Sequence, residues 1–179
     1  MIKKLNELYK ALGSLFLGIS EVCQQCQDDD CQGFIWLIPQ EAERLYQDGV
    51  EILEINNNIS FLQSFTEKDK KINIERFKPP CPFCKKKRCT IYSKRPLVCR
   101  MYPLAFATEN SIVYLILHLD CLFSKQKAAD VLFRDRAVTL FKRLHPRLLK
   151  KIMETYRCVD SISKFPEGPN KYLRLVVID

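Results

Sequence analysis

Apolar residues recur every three or four positions near the N-terminus, from Ile2 to Ile19, and Lys3, Lys4, Glu7, Lys10 and Ser14 lie between them. This spacing puts the apolar side chains on one helical face and predicts an amphipathic core helix. A second apolar stretch, residues 34–38, ends at Pro39, and helical spacing then returns from Glu41 to Ile55. Proline in a first turn, followed by acidic residues, is typical of a helix start. We therefore expect a strand and then a helix in this region.

The middle of the chain is predicted to contain less regular structure. Residues 56–71 are polar and predict a loop or a frayed helix. Residues 91–101 predict a short helix interrupted by a proline. The nearly continuous apolar run from Ile112 to Leu119 predicts a buried strand, with which residues 104–108 are expected to form a hairpin.

Two helices are predicted in the C-terminal third of the chain. Their apolar stripes cover residues 133–144 and 148–156, and Pro146 is expected to start or kink the second one. The last apolar segment, residues 172–178, predicts a strand. The elements together predict an α+β fold, in which a short β-sheet is flanked by helices.

Length and composition narrow the class of protein. A chain of 179 residues, 47% of them hydrophobic, is long enough to bury a core, which excludes disorder as the default state. No stretch reaches the roughly 20 apolar residues that span a bilayer, so we expect a soluble, cytoplasmic protein with reduced thiols. We expect two parts: residues 1–124 as a cysteine-cluster domain with its N-terminal helix, and residues 125–179 as a helical extension ending in a short strand.

The cysteines are the most informative residues in this sequence. Two segments, starting at Cys23 and at Cys81, share one spacing in which two residues and then four residues separate successive cysteines. Two thiolates separated by two residues can bind one metal ion, because a tight turn directs both sulfurs inward. The predicted ligands are Cys23, Cys26, Cys31, Cys81, Cys84, Cys89, Cys99 and Cys121. No histidine lies within either cluster, so an all-sulfur site for zinc, iron or an iron–sulfur cluster is expected.

Other interpretations of these residues remain open. Some of the thiols would serve as ordinary buried apolar side chains, and Cys99 beside Arg100 would suit a nucleophile, since nearby cations lower a thiol pKa. His118 is expected to pack in or on its strand, and His145 is expected to cap a helix or lie exposed. The overall charge of +8 permits an acidic partner.

The two cysteine loops carry opposite charges. Residues 28–30 are three aspartates, whereas residues 85–88 are three lysines and an arginine. One hypothesis is that the loops fold against each other around shared metal, so that the cations offset the negative thiolates. The alternative is that both charge runs are solvated and contribute little.

Two segments carry a resemblance to a known family. Residues 33–45 (GFIWLIPQEAERL) and 89–103 (CTIYSKRPLVCRMYP) resemble the YkgJ-type cysteine-cluster family, which is described as chelating zinc or iron. The resemblance covers about residues 20 to 123. Family members usually have an adjacent cysteine pair where this chain has only Cys31, and a leucine where this chain has Cys84, so Cys84 is inferred to replace the missing thiolate.

The resemblance also implies that other side chains of residues 89–103 accompany the ligands. We expect Arg95 and Arg100 to donate hydrogen bonds to thiolates or to neighbouring carbonyl groups. Tyr92 and Tyr102 are expected to pack in the core. The metal ion is thus the predicted partner, and a protein partner stays open.

Metal binding through clustered thiolates is the leading functional prediction, with its physiological role undefined. One alternative is methyl transfer to protein lysine, because flagellin lysine-N-methylases contain a similar motif, although the chain has no glycine-rich strand–turn–helix for a nucleotide-like cofactor. Whether the protein is an enzyme is therefore left open. A zinc-dependent nucleic-acid-binding module is a minor alternative, based on Lys85 to Arg88 and the basic C-terminal helices.

Overall fold

The computed structural model describes residues 1–25, 35–55, 59–62, 81, 83–86, 88–162 and 172–178. Helices and antiparallel sheets occur together in this part of the chain, which confirms the predicted α+β class. The helices are α1 (Leu5–Leu15), α2 (Ile19–Gln25), α3 (Pro39–Gln47), α4 (Leu97–Met101), α5 (Leu122–Lys127), α6 (Val131–Lys142) and α7 (Pro146–Ile162). The strands are β1 (Trp36–Leu37), β2 (Ile52–Ile55), β3 (Ile59–Leu62), β4 (Cys84–Lys85), β5 (Arg88–Cys89), β6 (Leu104–Glu109), β7 (Ile112–His118) and β8 (Tyr172–Val177).

The chain forms two compact units. Unit 1 comprises Met1–Asp28, Arg100–Lys151 and Pro169–Asp179, and unit 2 comprises Asp29–Cys99 and Ile152–Gly168. The predicted division between residues 124 and 125 stays a prediction. None of the described helices combines the length and the apolar composition that a membrane crossing requires.

Unit 1 contains a three-stranded antiparallel sheet in the order β6–β7–β8. The predicted hairpin is confirmed, since Leu104 pairs with Leu117 and Glu109 with Ile112, and the predicted C-terminal strand adds to β7. Leu104 and Phe106 of β6 are buried because alternate side chains of a strand share one face, and the consecutive residues Leu115 to Leu117 of β7 are all buried. The long hydrophobic run of β7 therefore belongs to the central strand of this sheet.

The apolar stripes predicted for α1, α6 and α7 contain buried side chains, with one difference at the N-terminus. The first helix ends at Leu15, and Gly18, at φ +85°, separates it from α2. Helix α6 begins after Asp130, whose side chain accepts a hydrogen bond from the Phe133 amide at 3.0 Å. His145 caps the start of α7, because its Nδ1 accepts a hydrogen bond from the Arg147 amide at 3.2 Å, and Pro146 starts the helix rather than kinking it.

Unit 2 contains a second three-stranded antiparallel sheet, in the order β1–β3–β2. The predicted helix over Glu41–Ile55 is wrong in its second half, because α3 ends at Gln47. Gly49 adopts φ +77°, a conformation that terminates helices, and the residues beyond it form β2. Residues 59–62 pair with β2 as β3, so the loop prediction is wrong there, and the remainder of 56–71 lies outside the described residues.

Candidate metal centre

The second cysteine cluster forms a compact hairpin in unit 2. Strand β4 pairs antiparallel with β5, which places Cys84 directly opposite Cys89. The Cys84 amide donates to the Cys81 carbonyl at 3.0 Å, and the Thr90 amide donates to the Phe83 carbonyl at 2.8 Å. These bonds close the turn around the two-residue spacing. Three cysteines are therefore neighbours at one end of the hairpin.

The environment of Cys81 bears on how it would bind a cation. Burial raises the pKa of the Cys81 thiol, and the neighbouring sulfurs of Cys89 and Cys84 raise this pKa further. Backbone hydrogen bonds from Phe83 and Cys84 act in the opposite direction and lower the pKa. Mutual repulsion between thiolates is relieved by a bound cation, and amide groups facing sulfur stabilise the negative charge. The surroundings of Cys81 thus suit a metal-bound thiolate better than an isolated one.

The hairpin is anchored to the apolar core of unit 2. Phe83, between Cys81 and Cys84, packs against a buried cluster formed by Leu37, Ala42 and Leu45 of β1 and α3. Ile91, which follows the hairpin, packs against the same cluster. Helix α3 and strand β1 therefore fix the position of the thiol-bearing turn.

Cys99 lies on α4, which is also connected to α3. The buried carboxylate of Glu41, on α3, accepts a hydrogen bond from the Leu97 amide at 2.5 Å, at the start of α4. The same carboxylate accepts a hydrogen bond from the Ile38 amide at 3.2 Å. The sequence predicted Glu41 only as a residue of a helix start. Its long-range partner, 56 residues away in the chain, was missed because no local pattern marks it.

The two predicted accompanying arginines stack on tyrosine rings. The Arg95 guanidinium lies 3.7 Å from the centre of the Tyr92 ring in unit 2, and the Arg100 guanidinium lies 4.3 Å from the Tyr9 ring centre in unit 1. Cation–π contacts of this kind orient a guanidinium. Hydrogen bonding of these arginines to ligand thiolates stays a prediction.

Tyr92 and Tyr102, which both lie in residues 89–103, differ in exposure. Core packing was the wrong expectation for Tyr92, which is 45% exposed, because its ring stacks under Arg95 at the surface. Tyr102 is half-buried and stacks on His118, with 5.9 Å between the ring centres. This contact confirms the predicted packing role of His118.

The first cysteine cluster is only partly within the described residues. Cys23 is exposed near the end of α2, whereas Cys26 and Cys31 lie outside the described residues. The acidic run 28–30 lies outside them as well, so the charge-pairing hypothesis stays untested. Cys121 is buried immediately before α5, and within unit 1 this helix packs against α2.

The described cysteines are thiols, and their chemistry fits zinc or iron better than magnesium or calcium. Across the described ranges, no three side chains of cysteine, histidine, aspartate or glutamate are arranged to hold a metal ion together. The hairpin therefore supplies adjacent soft donors and polarising amides without a finished coordination shell. Cys26 and Cys31, which lie outside the described residues, are not among those side chains.

Comparison with known proteins identifies one relationship. A family model named CxxCxxCC, described as a putative zinc- or iron-chelating domain, matches residues 21–121, which is more than half of the chain. No curated protein and no solved structure matches the chain. The matched range contains all eight of the predicted cysteine ligands.

Proposed function

The chain belongs to the CxxCxxCC family of zinc- or iron-chelating domains, and from this premise we propose that it binds one such ion through the cysteines of unit 2. The proposed ligands are Cys81, Cys84, Cys89 and Cys99. A bound metal ion would supply a cross-link between the hairpin and α4. The role of the four other predicted ligands, Cys23, Cys26, Cys31 and Cys121, stays a prediction.

The hairpin geometry is the observation that carries this proposal. Cys84 and Cys89 face each other in register, and both lie close enough to Cys81 to raise its pKa. Three thiols at one turn repel one another when ionised, so a cation is the group that stabilises all three at once. A cysteine that serves only as a buried apolar side chain does not require two other thiols beside it.

The attachment of α4 to α3 supports Cys99 as the fourth ligand. Phe83 of the hairpin packs on the apolar cluster that includes residues of α3, and the first amide of α4 bonds to Glu41 of the same helix. Both thiol-bearing segments are thus held by one helix. A four-thiolate site is the usual arrangement for structural zinc and also for iron.

Elemental analysis after anaerobic purification, combined with a visible spectrum, tests the proposal. Zinc in a colourless protein would identify a structural zinc site, whereas iron with acid-labile sulfide would identify an iron–sulfur cluster. We expect Cys84→Ser to lower the metal content, because it removes a donor at the centre of the hairpin. Cys158→Ser is the matched control, since Cys158 is an exposed cysteine on α7 outside the motif. An unchanged metal content in Cys84→Ser would contradict the proposed ligand set.

The exposed basic residues of the hairpin favour nucleic acid as a second candidate ligand. Lys85, Lys86 and Arg88 are all exposed beside the cysteine pair. Neutralising phosphates with such residues gives binding that weakens steeply with salt. Binding of a short duplex or single strand at low salt, lost on raising the salt, would support this second function. Absence of binding at low salt would exclude it.

A further inference from the structure

We propose that Glu41 is a positioning residue that sets the orientation of Cys99 by holding the start of α4. The inference deepens the proposed metal-binding function and rests on it. Glu41 itself is not a ligand in this proposal, because both of its carboxylate oxygens are engaged by backbone amides.

The carboxylate of Glu41 joins two separate segments of unit 2. Its Oε2 accepts from the Ile38 amide, just before α3, and its Oε1 accepts from the Leu97 amide, the first residue of α4. Glu41 is 1% exposed and Leu97 is fully buried. A carboxylate is unfavourable in the interior unless its oxygens accept hydrogen bonds, so the two amide contacts stabilise this side chain in its buried position.

Helix α4 depends on such contacts for its orientation. It has five residues, and a helix of that length is not stable by itself, because nucleation is not offset by enough hydrogen bonds. Cys99 lies two residues after the amide that Glu41 holds. A shift of the first turn of α4 would therefore move the Cys99 sulfur directly.

Two further contacts, one from α3 and one from the residue that follows it, hold the segment that precedes α4. Arg44 donates to the Lys94 carbonyl at 3.1 Å, and the Lys94 ammonium lies 3.0 Å from a carboxylate oxygen of Asp48. These contacts lie nearer to solvent than Glu41, since the Lys94 and Asp48 side chains are 53% and 33% exposed. Solvent weakens such pairs, so Glu41 is the buried point of the attachment.

The same helix also fixes the hairpin. Phe83 packs against the buried cluster of Leu37, Ala42 and Leu45, and the last two of these residues follow Glu41 on α3. Helix α3 is thus the common reference for the hairpin thiols and for Cys99. Removing the Glu41 contact would leave the hairpin in place and release only the fourth thiol.

Glu41→Gln is the variant that separates positioning from general stability. Glutamine has nearly the same shape, but it presents one oxygen and one NH₂ group, so one of the two backbone amides would face a donor. Glu43→Gln is the matched control, because Glu43 is an exposed residue on the same helix. Both variants replace a carboxyl group of α3 with an amide.

Cobalt(II) binding to the full chain provides the first measurement. The thiolate-to-cobalt charge-transfer band reports the number of bound sulfurs, and titration gives the affinity. We expect Glu41→Gln to weaken cobalt binding on the order of tenfold or more and to reduce the band, as loss of a residue that orients a ligand typically does. Glu43→Gln should match the wild-type protein.

Alkylation by iodoacetamide, read by peptide mass spectrometry in the chain saturated with zinc, provides the second measurement. We expect Glu41→Gln to raise the Cys99 rate selectively, with the rates of Cys84 and of buried Cys121 unchanged. Equal acceleration at all three thiols would overturn the inference, because it would indicate general destabilisation. Wild-type spectra and rates in Glu41→Gln would also overturn it and leave the proposed function standing. A wild-type chain that binds none of cobalt, zinc and iron would overturn the proposed function itself.

Discussion

Among the described residues, the strands of the unit 1 sheet are long, whereas the elements of unit 2 that carry cysteines are short. Unit 1 has strands of six and seven residues and aromatic contacts such as that of Phe106 with Phe141, with ring centres 5.9 Å apart. In the described part of unit 2, the hairpin strands have two residues each, and Cys99 lies on a helix of five residues. Apolar burial accounts for the order of unit 1, whereas the thiol-bearing segments of unit 2 are short pieces held by side-chain contacts.

This difference indicates where a metal ion would contribute stability. Very short strands and helices bury little apolar surface of their own, and small structures of this kind generally need a cross-link. The predicted cysteine ligands Cys81, Cys84, Cys89 and Cys99 lie in these segments. We therefore expect the metal to matter for unit 2 far more than for unit 1.

Metal removal is the experiment with the largest expected effect on the difference between the two units. We expect a chelator to abolish amide protection in residues 83–99, because the binding energy of a structural metal is part of the folding energy, about 10–16 kcal/mol in zinc-finger peptides. The hairpin of β6 and β7 should keep its protection, since its partners are apolar side chains and backbone groups. Hydrogen exchange read by mass spectrometry measures both regions in one experiment.

Zinc added back after chelation is the control for this experiment. It should restore protection to residues 83–99 alone. Equal loss of protection in both units would show that the comparison is wrong, and no loss in either would show that the thiols are not structural ligands.

A core substitution in unit 1 should produce the next largest effect. Phe141 is 2% exposed on α6 and contacts Phe106 edge to face, so Phe141→Ala should lower the free energy of unfolding by about 3–5 kcal/mol. Leu132→Ala is the matched control on the same helix. Leu132 is 76% exposed, so its removal should change stability by less than about 0.5 kcal/mol.

Denaturant unfolding of the metal-loaded protein measures this prediction, and metal content is measured on the same samples. We expect Phe141→Ala to retain its metal under native conditions, because the ligands proposed for unit 2 depend on other contacts. Loss of metal in the folded variant would mean that the apolar core of unit 1 determines the thiol site as well.

The sequence predicted the elements of unit 1 more completely than those of unit 2, for a physical reason. The run over β7 and the stripe over α6 are long, so periodicity alone identifies them. In unit 2, the apolar periodicity continues past Gly49 and therefore does not indicate that α3 ends there. The helix ends because Gly49 adopts a positive φ, which periodicity alone does not predict. Short elements leave too few positions for a period to be recognised.

The candidate site was predicted in its residue types and not in its supporting contacts. Cysteine spacing identified Cys81, Cys84 and Cys89, which the structure brings together in one hairpin. The bond between Glu41 and the Leu97 amide joins residues 56 apart, and a single sequence contains no signal for such a pair. The ligand set itself stays a prediction, since Cys26 and Cys31 lie outside the described residues.

The smallest expected effect concerns a polar cluster on the sheet of unit 1. A hydrogen bond from Tyr172, together with the charge of Arg174, holds the pKa of the Glu109 carboxyl below its ordinary value of 4.5. A carboxyl whose pKa is lower in the folded state stabilises that state above its unfolded pKa, and the contribution is lost as the pH falls through the folded pKa. The cluster is exposed, so solvent screening keeps the contribution small.

Glu109→Gln tests the direction of this pH dependence, because it removes the titrating carboxyl and keeps a side chain of nearly the same shape. At pH 7 we expect the variant to show slightly faster amide exchange than the wild-type protein in β6 and β8. The difference should shrink as the pH is lowered from 4.5 towards the folded pKa of Glu109, since the wild-type carboxyl then becomes neutral as well. A difference that grows in acid would reverse the sign. Equal exchange at pH 7 would show that apolar burial alone maintains this sheet, which would make the contrast with unit 2 sharper.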